Sequence, residues 1–499
     1  MLVHVSLASG RSVSIEIPAD SSIQELQQQA CTQLGVQGVI LVNASGQVLQ
    51  PSLSVHFAGL QEGDLVTAAV RRSDSALAAC GGVEFHEVEY DFYWPCSIQA
   101  FAVLHSDGSV VTWGDARCGG DSAMVQDKLH DVQQIQATRG CDSDPEHANK
   151  AQGGAFAAVR ADGSVVTWGD PRSGGDSSEV QDQLHDVQQI QATSKAFAAI
   201  RADGSVVTWG DRRYGGDSRL AQNQLHEVQQ IQATESAFAA ISASGAVVAW
   251  GGERAESWGV RDQLFDVHHV QANKTSFAAI RADGTVVCWG ERGSGGDGSE
   301  VQDQLRDVRQ IQATSRAFAA IRADGSVVTW GDRRYGGDSR SVQNQLHEVQ
   351  QIQATHQAFA ALRADGTVVS WGDKDFAGSF EDTQVQDQLH GVHQVQASGG
   401  AFAALRADGT VVTWGLTGHG EDSSRVQDQL QNVQQIQARS DCSGGSAFAA
   451  IRGDGTVVTW GGHERNRHLQ DPILDAQEVL GCGGAFAALR ADGTTVSWR

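Results

Sequence analysis

The stretch AFAAIRADGSVVTWGD, residues 196–211, decides how this chain is read. Phe197 and Trp209 stand twelve residues apart, and the same Phe-to-Trp interval recurs at 101/113, 156/168, 238/250, 277/289, 318/330, 359/371, 402/414, 448/460 and 486/498. Between them Asp203-Gly204 marks a turn. If Ala202-Asp203-Gly204 form a three-residue loop with Gly204 left-handed, Phe197 faces Trp209 and Ala199 faces Val207. The large shared side chains then fall on one face. A two-residue turn would split Phe and Trp between faces. In the preferred register Ala198, Ile200, Val206 and Thr208 make a second, largely apolar face. A sheet apolar on both sides is expected to pack between two neighbours.

Successive Trp positions step by 55, 41, 41, 39, 41, 41, 43, 46 and 38 residues. A period near 41 signals a propeller or a solenoid. One full unit runs VQQIQAT, then SKAFAAIRADGSVVTWG, then DRRYGGDSRLAQNQL. VQQIQAT is ambiguous: Val180, Leu184, Val187 and Ile190 have helical spacing, whereas a strand would need both its faces buried, and periodicity cannot arbitrate.

The unit resembles the repeat of the regulator of chromosome condensation family, roughly V-x-x-V-x-A-G-x-x-H-x-x-A-L-x-x-D-G-x-V-x-x-W-G-x-N-x-x-G-Q-L-G. Val187, Ile190, Ala192, Ala199, Ile200, Asp203, Gly204, Val206, Trp209, Gly210 and Gly215 fit it in order. The resemblance implies strands for VQQIQAT and a mainly β fold, a β-propeller-like array of ten repeats over 84–499. The chain departs from the pattern: Thr193-Ser-Lys-Ala196 replaces Gly-x-x-His, Gly216-Asp217-Ser218 replaces Gln-Leu-Gly, and the repeat is about ten residues short. Ten hairpins exceed the family's usual seven blades, so one ring, two rings and an open spiral all stay open. VEFHEVEY, after the stretch 73–83 read as a linker, could complete the last blade.

Residues 1–72 lack the repeat. MLVHVSL and RSVSIEIP (11–18) alternate as a hairpin about Ser9-Gly10. Asp20 or Ser21 can cap a helix, Glu25 stands where a capping box needs it for Ser22, Ile23, Leu26, Ala30 and Leu34 share a helical face, and Gly35 ends the helix. VILV (39–42) and DLVTAAV (64–70) are two more strands. This order, with Leu-Gly-Val (34–36) and the strand running to Arg72, resembles ubiquitin and implies a small α+β ubiquitin-like (β-grasp) domain. The positions matching ubiquitin's partner-binding patch, Ala8, Val42 and Ala69, are small, and the domain has no lysine.

Composition narrows the function. The formal net charge of −24 over 499 residues argues against nucleic-acid binding, which needs clustered Lys and Arg. Eight cysteines without a Cys-x-x-Cys pair offer neither a zinc ribbon nor a disulfide framework. The N-terminus lacks a signal-peptide pattern, and no run approaches the ~18 apolar residues of a membrane span. A cytoplasmic or nuclear protein with no membrane association is expected.

Three groups of residues compete as sites. Arg160, Arg201, Arg281, Arg322, Arg363, Arg406, Arg452 and Arg490 occupy one column beside the turn. Such a column is either a binding rim for an acidic partner or a set of stems laid over neighbouring blades. Acidic-glycine loops such as Asp211–Asp217 give too few convergent oxygens for calcium, so no cofactor or metal is expected. His130, His185, His226, His347 and His390 form a column that also accepts Phe265, Arg306 and Gln431, which reads as a tolerant rim. Irregular loops at 139–153 and 439–446 hold Cys141 and Cys442 at comparable places. No catalytic motif is visible. The expectation is a non-enzymatic protein-interaction scaffold whose partners are proteins. The family resemblance adds exchange on a Ran-type small GTPase. It also adds a link to HERC-type ubiquitin ligases, without their catalytic domain.

Overall fold

The structure is a computed structural model. It describes residues 2–7, 12–18, 21, 23–34, 39–42, 55, 60, 65–70, 75–76, 80–81, 100–105, 107–138, 153–252, 259–377, 383–439, 446–462, 473–482, 485–490 and 495–498. The chain is mainly β, with few helices.

At the N-terminus β1 (Leu2–Leu7) pairs with β2 (Ser12–Glu16) as an antiparallel hairpin, and α1 follows at Ile23–Leu34. The strands β3 (Val39–Val42) and β4 (Leu65–Val70) complete a sheet of order β2-β1-β4-β3. β1 runs parallel to β4, and β3 antiparallel to it. Val3, Val5, Ile15 and Ile17 alternate on the strands, and Ile23, Leu26 and Ala30 recur at helical spacing on α1. All are buried, with Val55, Leu60 and Val66. Ser22 and Gly35, which the sequence makes the ends of this helix, lie outside the described residues.

Among the described residues the remainder forms ten sheets, one for each hairpin. In the third repeat Val187–Ala192, Ala196–Arg201 and Val206–Gly210 pair antiparallel in chain order. Phe197 opposes Trp209 and Ala199 opposes Val207. Arg201 N–H donates to Ser205 O (2.9 Å), and Gly204, at φ 77°, donates to Arg201 O (2.8 Å). The loop is therefore three residues long with its glycine left-handed, as the register requires. The Phe and Trp rings stack in all ten repeats, with centroids 5.1–5.5 Å apart.

VQQIQA is a strand. The helical spacing in the sequence has a specific origin. A 3-10 turn at Gln181–Gln183 follows Val180, Asp186 turns the chain at φ 54°, and a bulge falls between Val187 and Gln189. The bulge absorbs one residue, so Val187 and Ile190 reach the same face although they are three apart.

Successive sheets pack face to face, giving a propeller-like array. Ala196, Ala198, Ile200, Val206 and Leu225 of the third repeat form one core with Val228, Ile231, Phe238, Ala240 and Trp250 of the fourth. Alanines on one face and large side chains on the other interdigitate. Six junctions are stitched by a buried indole, among them Trp209 Nε1 donating to Gly174 O (3.0 Å), Trp250 to Gly215 O (3.1 Å) and Trp330 to Gly295 O (3.0 Å). Trp289, Trp414 and Trp498 have no such partner among the described residues, and part of the loop before each is outside them. A backbone ladder joins equivalent corners. Ser194 N–H donates to Glu235 O (2.8 Å), Glu235 to Lys274, Lys274 to Ser315, Ser315 to His356 and His356 to Gly399.

The outer edge of five sheets is closed by a side-chain relay. Thr208 Oγ1 bonds Ser218 Oγ (3.0 Å), Ser218 Oγ donates to Gln222 Oε1 (2.9 Å), and Gln222 Nε2 donates to Val206 O (3.1 Å). The same relay recurs at Thr112, Thr167, Thr329 and Thr413. It satisfies a strand-edge carbonyl that would otherwise template another chain. In the fifth repeat Cys288 stands in the Thr place and Gly298 in the Ser place, while Gln302 still bonds Val286 O (3.0 Å). A Cβ on Gly298 would lie 3.0 Å from Cys288 Sγ, so the two substitutions compensate. Each of Cys288→Thr and Gly298→Ser is expected to cost stability alone. Together they should restore the relay, with a favourable coupling of about 0.5–1.5 kcal/mol in a urea-unfolding double-mutant cycle.

Two features differ from the sequence expectation. Within the stretch read as a linker, β5 (Ser75–Ala76) and β6 (Cys80–Gly81) pair with β7 (Ala100–His105), which pairs in turn with β8 (Val110–Gly114). This segment supplies the first sheet with its equivalent of VQQIQA, where composition had indicated only a Ser/Ala/Gly-rich connector. VEFHEVEY, Cys141, Cys442, and residues 139–152 and 440–445 of the irregular loops lie outside the described residues. The outward face of the first sheet is also less covered: Val111 is 49% exposed, against 6% for its counterparts Val207 and Val328. Among the described residues no core cluster joins that face to the last sheet.

Candidate functional site

The hairpin turns line up along one rim, because each turn packs on the next repeat. Val228 N–H donates to Gly204 O (2.8 Å), and a Cβ on Gly204 would lie 2.6 Å from Glu227 Cα. The Arg column sits here, on the last residue of each second strand. Arg201 Nε donates to His185 O (3.2 Å), Nη1 to Ser205 Oγ (3.3 Å), and Nη1 is 3.7 Å from Asp203 Oδ2. Its Nη2 is within 3.2 Å of both ring nitrogens of His185. Asp203 Oδ1 accepts Ser205 N–H (2.9 Å) and Oγ–H (2.6 Å), bonds that hold its carboxyl below the usual carboxylate range.

Arg160, Arg363 and Arg406 repeat this arrangement on His130, His347 and His390. Arg322 reaches Arg306 O (3.1 Å), Arg452 reaches Gln431 O (3.3 Å), and Arg281 reaches Phe265 O (3.4 Å), with its guanidinium 4.0 Å from the Phe265 ring centre. Arg490 is half-buried, and its Nε meets no partner among the described residues. The acceptor in each described pair is a backbone carbonyl. This explains the tolerance of the His column: what the Arg recognises does not depend on the side chain beneath it. The guanidinium groups are partly exposed yet committed to internal partners. Val42 and Ala69 lie on the adjacent strands β3 and β4, Ala69 opposite Ile40 and Val42 opposite Thr67. Their side chains, and Ala8, are outside the described residues.

The acidic-glycine loops bind themselves. Asp211 Oδ1 accepts Arg213 N–H (2.9 Å) and caps a 3-10 turn. Asp217 takes Arg219 Nη2 (2.6 Å) and Arg212 Nε (3.2 Å), and Asp338 pairs with Arg340 and Arg333. The Arg219 guanidinium brings Asp217 down to about 2, and Arg340 does the same for Asp338. A depressed folded-state value stabilises above the unfolded value of about 4, and that contribution is lost as pH falls from about 4 to about 2. A variant with both D217N and D338N should therefore show a shallower loss of thermal midpoint between pH 4 and pH 2 than the parent chain.

Sequence reasoning missed the Thr–Ser–Gln relay and a second pairing. Lys195, buried, lies 5.0 Å from the Tyr214 ring centre, and Arg316 lies 5.6 Å from that of Tyr335. Both were detectable as columns that change together: the two repeats with Tyr in the loop also carry the cation.

No family model matches the chain, and no curated protein matches it. Solved structures with some likeness include yeast RCC1 (Prp20) bound to Kap60. It is 17% identical with a TM-score of 0.31, over 50% of this chain and 73% of that one. The CRINKLY WD40 ectodomain of the Arabidopsis thaliana receptor kinase ACR4 is 14% identical with a TM-score of 0.30, over 52% and 90%. The computationally designed Ika8 protein is 15% identical with a TM-score of 0.29, over 69% and 92%. At these values the likenesses carry no argument about the partners or chemistry of this chain. Among the described residues no helix is long and apolar enough to cross a membrane.

Proposed function

We propose that this chain is a non-enzymatic protein-interaction scaffold, with a ubiquitin-like module at 1–72 joined to a repeat array whose first sheet takes in Ser75–Ala76 and Cys80–Gly81. The observation that carries the reading is the division of labour within each repeat. In the inner repeats both sheet faces are consumed by packing on neighbours, while the turn rim presents the same Arg–Asp unit in seven repeats among the described residues. Such a rim suits a protein partner that contacts several repeats at once. The sheet order β2-β1-β4-β3, with β1 parallel to β4, supports the ubiquitin-like reading of the N-terminal module.

The test is binding of the full chain to purified ubiquitin-pathway proteins and to a Ran-type GTPase, with Arg363, Arg406 and Arg452 changed together to Ala. Each of these side chains bonds a carbonyl at the water-exposed rim, so each replacement should cost about 1 kcal/mol or less. A scaffold acting through this rim loses at least about tenfold in affinity, a difference of 1.4 kcal/mol. Unchanged binding removes the rim from the proposal. The resemblance of the repeats to the chromosome condensation regulators favours a second reading, nucleotide exchange on a Ran-type GTPase. Accelerated nucleotide release at micromolar chain would support it, and no acceleration would end it. A third reading, a relative of HERC-type ligases without the catalytic domain, predicts capture of ubiquitin-pathway proteins through residues 1–72.

A further inference from the structure

Among the described residues nine junctions join successive sheets, and all are built alike. One sheet gives a face of two alanines, an Ile, Leu or Val, and a Val. The next gives its Phe, an Ala, a Val and its Trp. At the second-to-third junction these are Ala155, Ala157, Val159 and Val165 against Phe197, Ala199, Val207 and Trp209.

The first and tenth sheets carry the two halves of one more such junction. The first sheet packs Ala100, Ala102, Leu104 and Val110 on the second repeat, which leaves Phe101, Val111 and Trp113 on its outward face. The Phe101 and Trp113 rings stack at 5.4 Å. Val111 is 49% exposed, against 4–8% for Val166, Val207, Val287, Val328, Val369 and Val412. Trp113 is half-buried, where the Trp of every inner repeat is buried. In the tenth sheet Phe486 and Ala488 pack on the ninth repeat. Ala485, Ala487 and Leu489 alternate with them along the strand, Ala487 opposite Ser497 and Leu489 opposite Thr495. These are the positions of Ala196, Ala198 and Ile200, the half that receives a Phe–Val–Trp face.

We propose that the Phe101–Val111–Trp113 face of one chain docks on the Ala485–Ala487–Leu489 strand of a second copy, so that copies join end to end. The junctions within the chain select this occupant. An exposed valine beside a half-exposed indole is apolar surface of the kind a partner covers, and nine times in this chain its counterpart is covered by the alanine half of a repeat. Small alanines opposite Phe and Trp let two sheets interdigitate, whereas two first sheets meeting face to face would set rings against rings. The contact is heterologous. Each added copy presents the same free face, so growth continues past two chains unless the rotation closes a ring. The inference does not rest on the scaffold reading.

The experiment is sedimentation velocity on the full chain of 52.9 kDa, as the parent and as the separate variants Val111→Lys and Ala487→Glu. It spans about a hundredfold range of micromolar concentrations, with thermal unfolding as a fold control. The average mass of the parent should rise with concentration. Each variant blocks one face and should stay at the mass of one chain. Mixed in equal amounts, the two variants should form particles of two chains and no larger, because the Val111→Lys chain keeps its tenth sheet and the Ala487→Glu chain its first. Position 111 is exposed, so Val111→Lys keeps the test decisive if Ala487→Glu fails to fold. Added to the parent, the Val111→Lys chain caps growing ends and should lower the average mass. A parent that stays single across the range overturns the proposal, as does a Val111→Lys chain that associates like the parent. A parent mass untouched by added Val111→Lys chain also overturns it, since first sheets would then be pairing with each other.

Discussion

Phe318→Ala in the sixth repeat is expected to lower the unfolding free energy by about 3–5 kcal/mol, the usual cost of removing a buried aromatic side chain. Phe318 is fully buried, stacked on Trp330 at 5.3 Å, and packed in one cluster with Ala278, Ile280 and Val286 of the fifth repeat. Truncation removes half of an aromatic pair and most of the filling of that junction. The loss is local in structure but not in consequence. In a repeat array stability is a sum of repeat terms and nearest-neighbour junction terms, so weakening one junction near the middle divides a cooperative unit into two. Urea unfolding should therefore show both a lower midpoint and a reduced slope, as the halves separate. The same substitution at Phe486, in the last sheet, weakens a junction at the end of the array and should leave the slope close to the parent's. A loss under about 1 kcal/mol at Phe318 would mean that the Phe–Trp pair does not carry the junction.

How much of this was open to sequence reading depended on where the physical cause lay. The hairpin register was legible because a left-handed glycine and a three-residue loop fix which side chains share a face, and that geometry is local. VQQIQA was not legible. Its bulge converts a spacing of three into a same-face pair, and a bulge has no composition of its own in this chain. The Arg column was visible as a column, but its partner was not, since the acceptor is the carbonyl of residues as different as His185, Phe265 and Gln431. The relay from Thr208 to Gln222 spans fourteen residues of one repeat and becomes visible only when the copies are laid over one another. Cys288 with Gly298 is then its most informative line, because both partners change together. In the N-terminal domain the strand and helix positions followed from alternation and from the helical spacing of Ile23, Leu26 and Ala30.

Gly295→Ala is expected to cost about 2–5 kcal/mol, from two independent sources. The residue sits at φ 91°, where an L side chain costs about 1–2 kcal/mol. An added Cβ would lie 2.7 Å from Phe318 Cδ2, 3.1 Å from its Cε2 and 3.3 Å from Trp330 Cδ1, an overpacking that costs a further 1–3 kcal/mol or so. The Gly295 carbonyl also accepts the Trp330 indole N–H at 3.0 Å, so any backbone shift that relieves the clash lengthens a buried hydrogen bond. The two sources can be separated. In a Phe318→Leu background the ring contact disappears while the backbone strain remains, so Gly295→Ala should cost about 1–3 kcal/mol less there than in the parent. Equal costs in the two backgrounds would assign the whole effect to φ, and the glycine would then serve the turn alone. A smaller cost in the Leu background makes this glycine part of the junction. It would also explain why the sequence keeps a Gly at the corresponding places 119, 174, 215, 336 and 420, each beside the Phe of the following repeat.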